Sequence, residues 1–168
     1  TQAVQVRDFG RGIPLGKVVE CVSQINTGAK YNDDVFQFSV GLNGVGTKAV
    51  NALSSKFTVK SVRDGEFVEA RFVKGVLKDK KKGKTTEKNG TFVEFTPDVE
   101  LFKKFAYQKE MILKRLWHYA YLNMGLELIF NGEKIRSENG LLDLLKSEVQ
   151  EEGLYEPLHY KGKGLEFA

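Results

Sequence analysis

Several stretches of the chain alternate apolar and polar residues, which is the pattern of a β-strand with one buried face. The alternation predicts strands at residues 3–7, 56–62, 66–74, 91–95 and 126–130. Turn residues follow two of these strands, at 63–66 and at Asn131-Gly132. Strands joined by tight turns pair antiparallel, so we expect a largely antiparallel sheet.

Apolar residues recur at intervals of three and four in other stretches, as they do along a helix packed on one side. This spacing predicts helices at residues 17–26, 47–53, 108–123 and 140–149. Gly125 would end the third helix, whose Trp117, His118 and tyrosines are expected to pack rather than to bind a ligand. Residues 27–41 have no period and predict a long loop, of the kind that forms a binding lid or a disordered connector.

The composition is that of a soluble globular protein, because 41% of the 168 residues are apolar and 29% are charged. No apolar run reaches the roughly 20 residues that cross a bilayer, and the first residues lack the apolar core of a signal peptide. Cys21 is the only cysteine and falls on the apolar side of the first predicted helix, as a packed thiol would. We therefore expect a cytoplasmic protein with no membrane partner.

The positive charge of the chain is local. The formal net charge is +4, and residues 78–84 alone carry five lysines and one aspartate, so the rest of the chain sums to zero. We interpret residues 78–84 as a solvated loop between two strands. The alternative is a contact with the phosphates of DNA.

Asp8-Phe9-Gly10 spells the magnesium-binding signature of protein kinases, but the surrounding order excludes a kinase. A kinase needs a His-Arg-Asp catalytic loop before this triplet, and only seven residues precede Asp8. The glycine-rich run also lies after the triplet, whereas a kinase has it before. The aspartate must therefore be interpreted in another way.

GLNGVGTK, residues 41–48, is close to a phosphate-binding loop. Thr47 and Lys48 stand in the reverse of the order that the phosphate-loop motif requires, and the glycine spacing also differs from the dinucleotide motif. Three glycines before a helix still let backbone amides approach an anion. Together with a carboxylate at Asp8 and a lid between them, this loop predicts a nucleotide pocket, in which Asp8 accepts a hydrogen bond from the adenine amine.

Four stretches resemble the GHKL ATPase domain of bacterial type II DNA topoisomerase B subunits, of the topoisomerase IV or gyrase kind. They are DFGRGIPLG (8–16), INTGAKYNDDVFQFSVGLNGVGTKAVNALS (25–54), NGTFVEFTPD (89–98) and RLWHYAYLNMGLELIFNGE (115–133). The resemblance covers essentially the whole chain. It implies the GHKL (Bergerat) ATPase fold, an α/β (α+β) two-layer sandwich with a mixed, largely antiparallel sheet and helices on one face.

The resemblance also implies roles for individual residues. Asp8 would contact adenine, Thr91 would help through a bridging water, Gly12 and Ile13 would line the base, and Val93 would close the pocket from the next strand. The other implied nucleotide-binding residues are Gly10, Lys30, Gly41, Leu42, Asn43, Gly44, Val45 and Gly46. The residues that match the rim of the aminocoumarin inhibitor site are Arg11, Pro14 and Arg63.

The family's general base and its magnesium-holding asparagine precede the Asp8 motif. The resemblance places both upstream of Thr1, so we expect no catalytic residue and no metal ligand in this chain. Residues 1–153 would be the ATPase domain without its N-terminal part. Residues 154–168 would begin the transducer domain, with the alternating pattern at 158–168 as its first strand.

In the intact protein the resemblance implies ATP-driven passage of one DNA duplex through another, with ATP and Mg²⁺ as cofactors. The implied partners are the topoisomerase A subunit, DNA and a second copy of the B subunit, with which the first dimerises when ATP binds. Two alternatives stay open. One is another GHKL member, such as a chaperone, a mismatch-repair protein or a histidine kinase, and the other is a non-catalytic basic module that binds DNA through residues 78–84.

Overall fold

A computed structural model describes residues 2–25, 44–149 and 155–168 of the chain. The chain divides into two compact units, Thr1–Ala106 and Tyr107–Ala168. The loop that the sequence predicts at residues 27–41 lies outside the described residues. No helix in the described ranges is long and apolar enough to cross a membrane.

The first unit is built on a five-stranded sheet with the order β1-β5-β2-β3-β4. The strands are β1 Val4–Arg7, β2 Ser54–Arg63, β3 Glu66–Val73, β4 Val76–Lys84 and β5 Gly90–Pro97. All four neighbouring pairs are antiparallel. The strands predicted at 3–7, 56–62, 66–74 and 91–95 are thus confirmed, as is the turn at 63–66.

Helices cover one face of this sheet. A 3₁₀ turn at Leu15–Lys17 leads into α1, Val18–Ser23, and α2 spans Gly46–Ala52. Both helices contact β2 and β3. The helix predicted at 17–26 is shorter than expected because Gln24 has extended backbone angles, which leave Ile25 67% exposed beyond the helix end.

The hydrophobic core lies between these helices and the sheet. Phe57 and Val59 of β2 alternate inward, and Ala70 and Phe72 lie opposite them on β3. The rings of Phe57 and Phe72 meet edge to face at 5.9 Å. Val18 and Val22 complete the core from α1. A sheet covered by helices on this face is the α+β two-layer sandwich that the sequence predicts.

The interpretation of residues 78–84 as a loop is wrong. They belong to β4, which pairs with β3 from Val73↔Val76 to Glu66↔Lys84, with an irregularity between Arg71 and Phe72. An edge strand is held by backbone hydrogen bonds, and lysines are common there, so it needs no apolar alternation. The lysines therefore stand in a fixed extended array.

The first unit ends with the short helix α3, Val99–Phe102. The second unit contains α4 Lys109–Leu122, β6 Leu128–Phe130, β7 Glu133–Ile135, α5 Leu141–Glu148, β8 Tyr160–Gly162 and β9 Leu165–Phe167. α4 contacts α5 and the β6–β7 hairpin, and Trp117 stacks on Tyr121 at 5.5 Å. The single strand expected at 158–168 is wrong, because β8 and β9 form a hairpin. Gly164, with φ of 78°, makes the turn that divides them.

Candidate functional site

Asp8 follows β1 directly and is held in a fixed turn. Its amide donates to the Thr91 carbonyl oxygen at 2.9 Å, which extends the β1–β5 ladder by one residue. Its Oδ1 accepts from the Gly10 amide at 2.9 Å, an Asx turn. Within the described residues its Oδ2 has no hydrogen-bond partner, and the side chain is exposed. The turn thus presents a carboxylate oxygen that can accept a hydrogen bond.

Gly90 lets β5 pass directly beneath this turn. A Cβ on Gly90 would lie 2.0 Å from the carbonyl oxygen of Asp8, far inside van der Waals contact. The φ of Gly90 is also 137°, which side-chain-bearing residues rarely adopt. Glycine at this position therefore sets the distance between Asp8 and the start of β5, where Thr91 follows.

Gly12 and Ile13 are tied to strand β2. A Cβ on Gly12 would meet the Val62 carbonyl oxygen at 2.7 Å, and the φ of Gly12 is 72°. The hydroxyl of Ser61, which is fully buried, donates to the Ile13 carbonyl oxygen at 2.7 Å. These contacts hold the 12–13 segment against the sheet beside the Asp8 turn.

Ile13 and Val93 supply apolar surface to the same place. Both pack against the core cluster formed by α1, β2 and β3. Thr91, which is bonded to the Asp8 amide through its carbonyl, lies two residues before Val93 on β5 and opposite Ser61 on β2. The Asp8 carboxylate, the Thr91 hydroxyl and the side chains of Ile13 and Val93 thus lie near one another at the end of β1.

The three residues predicted for the inhibitor-site rim lie close to the Asp8 turn. Arg11 and Pro14 are in the segment that follows the turn, and Arg63 lies beside that segment. Arg11 and Pro14 are exposed, and the Pro14 carbonyl opens the 3₁₀ turn by accepting from the Lys17 amide at 2.8 Å. Arg63 comes from the end of β2, and its Cγ would lie 3.1 Å from a Cβ on Gly12. The structure therefore brings Arg63 next to Gly12 although they are distant in sequence.

The phosphate loop is described only at its end. Lys30, Gly41, Leu42 and Asn43 lie outside the described residues. Gly44 has φ of 55°, Val45 precedes α2, and Gly46 is its first residue. Lys48 is 7% exposed, and its ammonium donates to the Gly44 carbonyl oxygen at 2.5 Å. Lys48 thus turns back on its own loop.

Asn51 of α2 connects this helix to α1 through a buried hydrogen bond. It is 1% exposed, and its Nδ2 donates to the Val22 carbonyl oxygen at 2.9 Å. Nearby on α1, burial raises the pKa of the Cys21 thiol, which keeps it neutral. Cys21 is partly buried, in keeping with a packed thiol.

Sequence reasoning named the residues of the turn but missed those that position them. Ser61 belongs to no motif, and Gly90, although it lies in the 89–98 stretch that carries the resemblance, was given no role; both come from strands that meet the turn only through the sheet register. The weak signal for Gly90 is Asn89-Gly90, a glycine at the start of a strand. Nothing in the sequence near Ser61 indicates its bond to Ile13.

No family model matches the chain. Individual proteins do. The B subunit of DNA topoisomerase 4 from Borreliella burgdorferi is 57% identical over 98% of this chain and 28% of its own length. The B subunit of DNA gyrase from Mycolicibacterium smegmatis is 32% identical over 88% of this chain and 23% of its own length. The chain thus spans about a quarter of the curated relatives that it matches.

A solved structure matches as well. The 43K ATPase domain of Thermus thermophilus gyrase B, in complex with an aminocoumarin, superposes with a TM-score of 0.74 and is 26% identical. The match covers 98% of this chain and 46% of that one. These relatives are B subunits of topoisomerase IV and of gyrase. This chain belongs to the family of type II topoisomerase B subunits and corresponds to part of their GHKL ATPase domain.

Proposed function

We propose that this chain binds the adenine base of ATP at the Asp8 turn, as part of the ATPase domain of a type II topoisomerase B subunit. The observation that carries the proposal is the fixed Asp8 carboxylate, held by the Gly10 amide and bonded through its backbone to Thr91. Its Oδ2, which accepts no hydrogen bond from the described residues, is the acceptor for the exocyclic amine of adenine. Thr91 assists through a bridging water.

The remaining contacts follow from the placement of the segment after Asp8. Gly12 and Ile13 line the base on one side, because Ser61 fixes the Ile13 carbonyl. Val93 bounds the base from β5. We assign Arg11, Pro14 and Arg63 to the rim, where an aminocoumarin would compete with the nucleotide. The solved gyrase B ATPase domain is in complex with such a compound, which supports an inhibitor site in this domain.

The triphosphate belongs at the glycine loop. Gly44, Val45 and Gly46 would supply backbone amides to it at the start of α2. The resemblance alone assigns the other nucleotide-binding residues, which are Gly10, Lys30 and Gly41 to Asn43. Magnesium is expected with the triphosphate. Within the described residues no group of three or more His, Cys, Asp and Glu side chains could hold a metal ion, so no step is assigned to it.

In the whole protein this nucleotide site would drive passage of one DNA duplex through another. ATP binding would dimerise two B subunits, and hydrolysis would release them, while the A subunit would act on the DNA. The relatives named as B subunits of topoisomerase IV and gyrase support this role. Such a role would put the protein in the cytoplasm with DNA.

The experiment is calorimetric titration of the 168-residue chain with ATP. Asp8→Asn keeps an oxygen for the Gly10 amide but loses the charged acceptor, so the dissociation constant is expected to rise roughly 10- to 150-fold. The matched control is Asp64→Asn in the β2–β3 turn, where the Asn89 side chain donates to the carboxylate. Equal affinity of wild type and Asp8→Asn would remove Asp8 from the site and the proposal with it.

A further inference from the structure

Three lysines form a regular row on the edge strand of the sheet. Lys80, Lys82 and Lys84 are two residues apart on β4, and they lie opposite Ala70, Val68 and Glu66 of β3. Alternate residues of a strand point to one face, so their side chains share a face. All three are exposed. We call these residues the lysine row.

The opposite face of the same two strands has balanced charges. Arg71 and Glu69 form an ion pair at 2.7 Å, and Lys81 lies 3.7 Å from Asp79. The strand register also sets Lys81 against Glu69 and Asp79 against Arg71. On this face each positive side chain has a carboxylate beside it and another across the strand.

The lysine row has far less compensation, since Glu66, opposite Lys84, is the one carboxylate that the β3–β4 register sets against it. Among residues 2–25, 44–149 and 155–168, no ion pair or hydrogen bond involves the ammonium of Lys80, Lys82 or Lys84, nor that of Lys78 beside them. Residues 78–84 hold a net charge of +4, which equals the net charge of the chain. The uncompensated positive charge of the protein is therefore concentrated along one strand edge.

Lysines on an edge strand have an ordinary explanation, which is that they prevent another chain from adding to the sheet. That explanation requires charge somewhere on the edge. It does not account for the difference between the two faces: on one face every positive side chain has two carboxylates next to it, and on the other face three lysines have one carboxylate, Glu66, opposite Lys84. Because no ion pair joins Glu66 to Lys84 in the described part of the chain, all three ammonium groups of the row can meet an external polyanion.

We propose that the lysine row binds the phosphate backbone of duplex DNA. Residues two apart on a strand are about 6.8 Å apart, so the row spans roughly 13 to 14 Å. One strand of B-DNA carries a phosphate for about every 3.4 Å of helix axis, so the row spans about four of them. When lysines neutralise DNA phosphates, the counterions condensed on the DNA are released, so the affinity depends on the salt concentration.

The neighbouring side chains favour a duplex over other polyanions. Proteins that hold single strands stack bases on aromatic rings, but Val68 and Ala70 are the row's neighbours on β3. Proteins that lie on membranes insert Trp, Phe or Leu beside their basic residues, and on β4 the single residue of this kind is Leu77, near the end of the strand away from Lys84. The choice of DNA as the polyanion rests on the proposed function. The evidence for a polyanion site comes from the charge pattern and is independent of that function.

The test compares two triple variants with the same loss of charge. Lys80, Lys82 and Lys84 become glutamine in one. In the control the substitutions are Lys104→Gln, Lys114→Gln and Lys163→Gln, at three exposed lysines without ion pairs in the described part of the chain. Fluorescence anisotropy with a labelled mixed-sequence DNA duplex is measured over a salt series without nucleotide, and size-exclusion chromatography checks association.

The logarithm of wild-type affinity should fall linearly with the logarithm of salt concentration. In the row variant the slope should be shallower by about 0.9 for each lysine lost, and in the control it should stay near the wild-type value. Equal changes in both variants would mean that net charge alone matters, and would overturn the proposal. An unchanged slope in the row variant would also overturn it, and self-association of that variant would then favour the ordinary role of edge lysines. Wild-type binding to phosphatidylserine vesicles in preference to the duplex would overturn it too. Because nucleotide is absent, failure of ATP binding at Asp8 leaves this result unaffected.

Discussion

The carbonyl oxygen of Asp8 lies 2.0 Å from the point where a Cβ on Gly90 would stand. The two backbones therefore touch where β1 passes into the Asp8 turn and β5 begins. Any side chain at Gly90 must move one of them. Since Thr91 follows Gly90 and bonds the Asp8 amide, the movement would separate the two polar groups that we assign to adenine.

Gly90→Ala is expected to weaken ATP binding by roughly tenfold or more, because it displaces the Asp8 turn from Thr91. Calorimetric titration measures the loss. Gly132→Ala is the control, since Gly132 also has a positive φ, of 88°, but has open space around its Cβ. It should lower stability by about 1 kcal/mol through backbone strain and leave ATP affinity unchanged. If Gly90→Ala binds ATP as tightly as the wild type, the close approach of Gly90 to Asp8 does not determine the geometry of the site.

Ser61→Ala tests whether the Ile13 segment must be anchored for the base to bind. The variant removes a 2.7 Å hydrogen bond in a fully buried position. It should cost about 1 kcal/mol of unfolding free energy and raise the ATP dissociation constant several-fold. Ser147→Ala removes a similar hydroxyl bond, to the Leu144 carbonyl oxygen, at an exposed position of α5. If both variants bind ATP equally well, the anchor has no role in the site.

Asp143 predicts a pH dependence for the second unit. Hydrogen bonds from Ser137, from the Asn139 side chain and from the Asn139 amide lower the pKa of Asp143 from 3.8 to about 2. A carboxylate with a lowered pKa contributes stability above its unfolded pKa and loses it as pH falls through its folded pKa. The contribution should therefore be present above about pH 4 and disappear towards about pH 2.

Asp143→Asn should remove this contribution, about 1 to 2 kcal/mol after allowance for partial solvent screening. Urea unfolding followed by Trp117 fluorescence measures it, because Trp117 is the only tryptophan and lies in this unit. Glu148→Gln neutralises a carboxylate on the same helix and should leave the pH dependence below about pH 4 intact. A parallel pH profile for wild type and Asp143→Asn would rule out the assignment.

Asp98 links the β3–β4 turn to the short helix α3, Val99–Phe102. It is 3% exposed, accepts from the Glu100 amide at 3.0 Å and pairs with Lys74 at 2.9 Å. The hydrogen bond from Lys74 lowers the pKa of Asp98. Asp98→Asn keeps a cap acceptor but loses the ion pair, and Asp98→Ala loses both.

Thermal unfolding by circular dichroism should therefore rank wild type above Asp98→Asn and Asp98→Ala lowest, with steps of a few degrees. Glu100→Gln removes the exposed second partner of Lys74 and should change the midpoint least, because exposed ion pairs contribute little. A midpoint for Glu100→Gln as low as that of Asp98→Ala would show that the buried carboxylate is not the stabilising partner.

The sequence predicted the fold where side chains alternate and failed where the backbone alone decides. β2 and β3 each bury one face, so alternation reveals them, whereas β5 is half-buried along most of its length. β4 is exposed along nearly its whole length and pairs only through its backbone, which leaves no apolar signal. β7 has three residues, too few for a pattern.

For the site, the sequence indicated the glycines and the aspartate because turns and close backbone approaches restrict residue type locally. It could not indicate Ser61 or Gly90 as their supports. Their contacts with Ile13 and Asp8 depend on which residues the register sets side by side, and a one-residue shift would remove them. The roles of Lys30 and of the loop before Gly44 stay predictions.

The pairing of β1 with β5 also has a kinetic consequence. Val4 of β1 pairs with Phe95 of β5, and most of the first unit's sequence separates the two residues. Tight turns, by contrast, join β2 to β3 and β3 to β4. Short-range hairpins close fast, and a distant four-residue strand joins them only after a large loop has closed. β1 should therefore dock last and detach first, so its amides should exchange hydrogen faster than those of β2. Asp8, at the end of β1, would assemble into the site in the final step of folding.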